Sequence, residues 1–397
     1  MRIGLVTGEY PPMEGGVGAF TEQLARTLAD QGHDIDIITS KKARPADIPR
    51  RASALLEPIE LDFARLHPRA GRWRWPTLST IADIAIRHDL EIINLQYQAA
   101  AFNMHSPAIH FLPWRLKSVV PTVVTFHDLR VPYLFPKAGR LREVAIRGLA
   151  RRAAGNIATN TADMRTMQTW TDRPARQIPI GSNIDVYKPN HIEIAEVREK
   201  LGLGNNDTLL GYFGFLNETK GADTLIQALA ELDQQYHLVI IGGQTGSSDP
   251  GNNQEFLSLL QDQIEKLNLS ERVHWTGFLS SVRVSAHLAA ADIMVMPYRD
   301  GVSLRRGTLM AVLAHGRPLI TTFPAEATTE FTQGKNMMFV SPDNPSELTH
   351  AIAQLAGDDS LRERLGQEAR ELGLQFDWTT IAAKTAEFYA ELIKGDF

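Results

Sequence analysis

The feature that most constrains this chain is a unit that occurs twice: a short apolar strand, a glycine-bearing turn, then a helix. The first copy runs Ile3-Gly4-Leu5-Val6-Thr7, Glu9-Tyr10-Pro11-Pro12 and Gly15-Gly16-Val17-Gly18, followed by an amphipathic helix over 19–30. The second runs Leu209-Leu210-Gly211-Tyr212-Phe213-Gly214 into Asn217-Glu218-Thr219-Lys220-Gly221, and a helix follows. Glycine lets backbone N–H groups approach a ligand closely, and a helix N-terminus favours negative charge, so each turn is a candidate anion site. The spacing from Gly15 to Gly18 is not that of the dinucleotide fingerprint. Two such units half a chain apart predict two doubly wound parallel-sheet α/β domains facing one cleft.

A length of 397 residues suits two domains. The content of 43% hydrophobic and 22% charged residues is that of an ordinary globular protein. No apolar run reaches the roughly 18–20 residues of a membrane-spanning helix. Met1-Arg2 leads straight into a strand, so no signal peptide is expected. The absence of cysteine excludes disulfides, thiolate catalysis and Cys-based zinc sites, and suits a cytoplasmic protein. Residues 1–188 hold 25 Lys and Arg against 18 Asp and Glu, net +7; residues 189–397 hold 16 against 28, net -12. A basic first half fits an anionic acceptor or membrane surface, and equally ordinary surface variation.

Mostly apolar strands are expected over 3–7, 34–39, 92–96, 122–126, 156–159 and 176–179, and again over 209–213, 237–241, 273–276, 293–297, 319–321 and 337–340. Gly181 to Asn190 reads as the interdomain linker. The run from Gly242 to Gly251 reads as a flexible loop at a strand's C-terminal end, and Trp378 to Lys394 as a strong helix. The resulting domains are 1–185 and 186–377.

Taken in order, several segments resemble the glycosyltransferase family 4 enzymes of the GT-B fold. They are Glu9-Tyr10-Pro11-Pro12 with Gly15-Gly16-Val17-Gly18, Thr125-Phe126-His127-Asp128, and Ile178-Pro179-Ile180-Gly181 with Asp185 and Pro189. Further along come Gly214-Phe215-Leu216 with Lys220-Gly221, Trp275-Thr276-Gly277-Phe278, Ala290-Ala291-Asp292-Ile293, Ala314-His315-Gly316-Arg317-Pro318 and Phe376-Asp377-Trp378. The resemblance implies two Rossmann-like domains, the C-terminal one binding a sugar nucleotide and the N-terminal one an acceptor. It also implies that the last helix, 378–397, crosses back onto the N-terminal domain.

By the same resemblance Lys220 reaches the donor diphosphate, and Gly16 and Gly18 face it or an acceptor phosphate. Gly277 and Phe278 lie near the base, and His127 with Asp128 serve the chemistry. Glu14, Gly15, Arg130 and Tyr133 fall on the acceptor side. The chain departs from the family at three positions. Phe215 stands where an arginine is usual, and Ser303 and Ala311 stand where two glutamates eight apart are usual. In their place is Ser303-Leu304-Arg305-Arg306-Gly307-Thr308, a loop entering a helix with two guanidinium forks suited to phosphate. One of these arginines is expected to replace the one lost at 215. Asp300 is a candidate for the missing acidic contact.

Arg140 to Arg152 reads as a basic amphipathic helix which, with Trp73, Trp75 and Trp114, would contact a membrane carrying a lipid acceptor, or else would be a solvated face over a core. His105 and His110 lack the spacing of metal ligands, and there is no His-Glu-x-x-His. The resemblance to family 4, with which the missing metal-site spacing agrees, implies a retaining, metal-independent transferase without a resident cofactor. It takes a UDP- or GDP-sugar to a glycan, lipid-linked or small-molecule hydroxyl by a front-face route, with no nucleic-acid partner. A sugar-nucleotide epimerase and a degenerate binding protein are the alternatives.

Overall fold

The structure is a computed structural model that describes residues 1–13, 15–44, 57–102, 107–129, 140–182, 184, 186–242, 250–325 and 328–395. The chain divides into two compact units, Met1–Gly181 with Trp378–Phe397, and Ser182–Asp377.

The first unit is built on β1 (Arg2–Thr7), β2 (Asp34–Ser40), β3 (Ile59–Glu60), β4 (Arg65–Ala70), β5 (Ile92–Tyr97), β6 (Thr122–Phe126), β7 (Gly155–Ala158) and β8 (Ala175–Gln177). They form one sheet in the order β3-β4-β2-β1-β5-β6-β7-β8, parallel except for β3 against β4. Alternate side chains serve two buried faces. Ile3 and Leu5 join one core with Ile35, Ile37 and Ile92, while Val6 joins the other with Leu95 and Val124. The last helix, Trp378–Lys394, packs on the Ile3 face through Ile381, Phe388, Tyr389 and Leu392. At about 1.5–3 kcal/mol for each fully buried side chain of this size, Ile381, Phe388 and Leu392 make this helix part of the unit's core.

The second unit is a parallel sheet of β9 (Thr208–Phe213), β10 (Tyr236–Ile241), β11 (Val273–Trp275), β12 (Ile293–Met296), β13 (Leu319–Thr322) and β14 (Met338–Val340), in the order β11-β10-β9-β12-β13-β14. Its core includes Leu210, Tyr212, Leu238, Ile240, Ile293 and Val295.

In both sheets the order reverses beside the opening strand: β1 lies between β2 and β5, and β9 between β10 and β12. Doubly wound sheets bind ligands beyond the strand ends at such a reversal. The residues that matter should therefore follow β1, β5 and β6 in one unit, and β9 and β12 in the other.

The expected strands are present, each within a residue or two of its predicted limits. β3 and β4 were not expected. β4 contains Arg65, His67 and Pro68, which hide it from an apolar pattern, and a charged pocket places it in the sheet. Buried Asp36 on β2 accepts from Arg65 Nε and Nη2 at 3.0 and 2.7 Å, and lies 2.7 Å from His67 Nε2. Among the described residues no helix is long and apolar enough to cross a membrane.

Candidate functional site

In the first unit the chain leaves β1 at Thr7 and turns through Glu9 to the helix Gly16–Asp30. The Glu9 carboxylate occupies the helix N-terminus. Its Oε1 accepts from Val17 N at 3.0 Å and Gly18 N at 3.3 Å. Burial raises the Glu9 pKa above the usual carboxylate value, against the two N–H bonds that lower it. This corrects the expectation for Gly18: its N–H already serves the chain's own anion. Gly15 makes room for that anion, since a Cβ there would lie 2.0 Å from Glu9 Oε1. Beside Gly16, among the described residues and apart from its chain neighbours and own helix backbone, no atom lies within 4 Å of where a Cβ would stand. Glu14, Arg130, Tyr133 and Asp185 lie outside the described residues.

His127 follows β6. Its N–H donates to Tyr97 O at 3.0 Å, its Nε2 lies 2.9 Å from Gln96 Oε1, and its ring meets Phe20 edge-on at 4.7 Å. Phe20 in turn packs on Trp378 at 5.1 Å. Burial pushes the His127 pKa down to about 3, so the imidazole is neutral at physiological pH. A neutral ring can bond a hydroxyl but brings no charge to a phosphate. Asp128 accepts from Gln98 Nε2 at 3.3 Å through Oδ2, and its buried Oδ1 has no partner among the described residues.

The helix Arg140–Arg152 is covered on one face, where Ile146, Leu149 and Ala150 are buried in the core. Arg147 pairs with Glu143, Arg151 Nε donates to Trp170 O at 2.8 Å, and Arg152 lies over the Phe111 ring at 5.2 Å. Trp73 is buried, which removes it from the membrane-facing set; Trp75 and Trp114 are exposed.

In the second unit the corresponding ends of β9 and β12 carry cations. Gly221, with φ 67°, turns the chain from the short helix Glu218–Lys220 into the helix Ala222–Glu231. A Cβ at Gly221 would meet Pro297 O at 2.0 Å, so both conformation and space require glycine there. The turn delivers Lys220, whose Nζ donates to Phe215 O at 2.7 Å. Burial lowers the Lys220 pKa to about 8; nearby Arg306 adds to the lowering and Asp300 opposes it. Arg306 lies 3.8 Å over the Tyr298 ring and pairs with Asp300, and its buried Nε has no partner among the described residues.

Arg299 was not anticipated. It donates to Glu218 O at 2.6 Å and to the Asp223 and Asp343 carboxylates, tying the Lys220 turn to the end of β12. Its two carboxylates are 76 and 44 residues away in sequence, so no local pattern reveals it.

Among the other expected donor-side residues, Ser303 is half-buried and Arg305 is exposed. The Leu304 side chain is buried, so only its backbone is available to a ligand. Gly307 opens the helix Gly307–Ala314, with no side chain capping its first turn, and Thr308 bonds Tyr298. Gly277, at φ 64°, bridges Gly242, and the neighbouring Phe278 ring is 86% exposed. The loop over 243–249 lies outside the described residues.

Chain spacing concealed one ligand-like group. Asp36, His67 and His88 place three potential ligand atoms within 4.8 Å of one another. Arg65 already forks both oxygens of Asp36, which offsets the charge a metal ion would use. Burial raises the Asp36 pKa, and the bonds from His67 and Arg65 outweigh it, so the net shift is downward. The group acts as an internal ion network beside β4.

Comparison with known proteins places this geometry among enzymes. Residues 193–372 match the family described as Glycosyl transferases group 1, and residues 15–181 match the Glycosyl transferase 4-like domain. The chain is 25% identical over 426 aligned positions to a D-inositol 3-phosphate glycosyltransferase of Corynebacterium jeikeium, covering 99% of this chain and 97% of that protein. Among solved structures, sucrose-phosphate synthase of Thermosynechococcus elongatus superposes with TM-score 0.75 at 20% identity, covering 98% of each chain. Anabaena HepE, solved in complex with UDP and glucose, superposes with TM-score 0.72 at 20% identity, covering 98% of this chain and 100% of that one. These two likenesses establish the fold.

Proposed function

Because its two halves belong to the glycosyl transferase group 1 and glycosyl transferase 4-like families, the chain is a glycosyltransferase of the GT-B fold, and we propose that it transfers a sugar from a nucleotide-activated donor to an acceptor hydroxyl with retention of configuration. The observation that carries this reading is the pair Lys220 and Arg306 beyond β9 and β12, two cations with one acidic partner, Asp300, between them. A nucleoside diphosphate gains negative charge as it leaves, and preorganised cations are most effective where charge develops. Lys220 takes the diphosphate, and Arg306 supplies the positive charge absent at Phe215. Binding needs only that Lys220 exchange Phe215 O for a phosphate oxygen.

In this reading neutral His127 bonds a hydroxyl of the donor sugar, and Gly16 leaves room for the diphosphate or an acceptor phosphate. The glycosidic bond to phosphate breaks as the acceptor oxygen attacks from the same face, and the departing phosphate oxygen takes the acceptor proton. No metal is assigned to the diphosphate. The likeness to HepE makes a UDP-sugar the first donor to test, with GDP-sugars next. The acceptor class stays open between a glycan, a lipid-linked and a small-molecule hydroxyl. A cytoplasmic location accompanies this reading. Peripheral membrane contact is a lesser part of the proposal, supported by exposed Trp75 and Trp114; vesicle flotation that is unchanged in Trp114→Ala would remove it.

The test is a thermal-shift screen with nucleoside diphosphates and sugar nucleotides, with and without EDTA. A ligand bound only by the folded state raises the melting temperature by mass action. A shift selective for one base, insensitive to EDTA and lost in Lys220→Ala, is the expected result. No shift with any nucleotide at millimolar concentration would overturn the donor assignment.

A further inference from the structure

We propose that Gln96 is a positioning residue that holds His127 as its Nε2–H tautomer and so makes its Nδ1 a hydrogen-bond acceptor for a sugar hydroxyl. This rests on the role assigned to His127 above. Gln96 is fully buried on β5, the strand beside the sheet reversal, and faces Thr7 of β1 and Thr125 of β6 in register. Its Oε1 lies 2.9 Å from His127 Nε2. A carbonyl oxygen can only accept, so the bond requires the proton on Nε2. A neutral imidazole then carries a lone pair on Nδ1.

The ring has little freedom to escape this arrangement. Phe20 clamps its face edge-on, and the His127 N–H is fixed to Tyr97 O. The Gln96 Nε2 is buried with no partner among the described residues. A buried, half-satisfied amide costs about 1–3 kcal/mol, so packing alone does not account for a glutamine at the end of this core strand. Reversing the amide would put Nε2–H on His127 and exchange the ring's two roles, so the tautomer is the discriminating observable.

The consequence is selectivity. An accepting Nδ1 takes the hydrogen bond that a hydroxyl O–H donates, and it repels a group that can only accept. The site therefore favours a donor sugar with a free hydroxyl at the position facing His127 over one with a carboxylate or fluorine there. Without Gln96 the tautomers mix and this preference weakens.

The experiment is nitrogen-15 NMR of the full-length protein labelled in histidine, with the His127 signals identified by their loss in His127→Gln. The expected result is a protonated Nε2 and an unprotonated Nδ1 in the unaltered protein, with Nδ1–H appearing in Gln96→Leu. An Nδ1–H tautomer in the unaltered protein, or an unchanged tautomer in Gln96→Leu, would overturn the proposal. If Gln96→Leu does not fold, Gln96→Glu decides. A carboxylate keeps the acceptor for Nε2–H and adds charge, so His127 should titrate at higher pH, and an unmoved titration would contradict the contact. This readout needs no substrate, so it stands even where the donor assignment fails. Where turnover is measurable, Gln96→Leu should lower kcat about tenfold, the loss of one hydrogen bond, with less change in donor KM.

Discussion

The two glycine-bearing turns read alike in the sequence and fold into opposite electrostatics. The turn after β1 is filled: Glu9 takes the Val17 and Gly18 N–H groups, and neutral His127 stands at the end of β6, two strands along the sheet. The turn after β9 is cationic. Among the described residues Lys220 rests on a single carbonyl, with Arg306 stacked on Tyr298 nearby. A strand, a glycine turn and a helix are thus only a frame for anions. The side chain that enters the frame decides whether it recruits an anion or has already satisfied itself.

The comparison breaks most directly at Lys220. Lys220→Ala should reduce kcat/KM on the order of 10²–10³-fold, as for loss of one preorganised donor to a developing anion, and abolish the thermal shift with nucleoside diphosphate. Unaltered kinetics would make the second turn no more a phosphate site than the first. Arg306→Ala should follow with a loss of tens-fold, in the range of one charge-assisted hydrogen bond of about 1.5–3 kcal/mol. Exposed Arg305→Ala should lose far less. Equal, full activity in both would end the idea that Arg306 replaces the charge missing at Phe215.

Acidity sharpens the contrast. The Lys220 pKa is lowered to about 8, so between pH 7 and pH 9 the free protein loses most of its positive charge there. Donor affinity should fall about tenfold across that interval, and Lys220→Arg should remove the dependence; a flat profile to pH 9.5 would count against Lys220 as the diphosphate ligand. For stability the sign follows from proton uptake. The unfolded chain binds more protons at Lys220 between its two pKa values, so this group's destabilising contribution fades as pH rises from about 8. His127 behaves likewise at lower pH. Neutral when folded and with a pKa down to about 3, it costs stability as pH falls below the ordinary histidine value.

The smallest effect belongs to Glu9. Glu9→Ala removes a helix cap and should cost about 1 kcal/mol of stability, read by urea denaturation, while freeing the Val17 and Gly18 N–H groups. If the first turn then binds inorganic phosphate and the unaltered protein does not, the difference between the turns is the Glu9 carboxylate itself. If neither binds, the frame alone is not enough.

How much of this was legible beforehand follows from how local each signal is. The buried parallel strands announced themselves, because a strand covered on both faces is apolar along its length. The glycine turns, Lys220 and His127 stood out for their place after such strands. β4 did not, since Asp36 recruits it from the neighbouring strand through Arg65 and His67. Gly18 was misread because nothing in its surroundings says that Glu9 folds back onto its N–H. The burial of Leu304 was not legible, because a loop residue beside two arginines carries no local sign that the core claims its side chain.

The sequence by itself therefore determined the two sheets, their strand ends and the residue types available there. These depend on hydrophobic pattern and backbone freedom, which act over a few neighbours. Only the tertiary structure decided which charges are spent and which are free: Glu9 on a helix end, Asp36 in an ion network, Arg299 bracing a turn, Arg306 over Tyr298. The partners of Asp36 and Arg299 lie tens of residues away in the chain, and even those of Glu9 and Arg306 lie beyond a turn that the sequence pattern does not shape. Electrostatic and desolvation energies depend on distance in space, and chain order does not encode that distance until the sheets have formed.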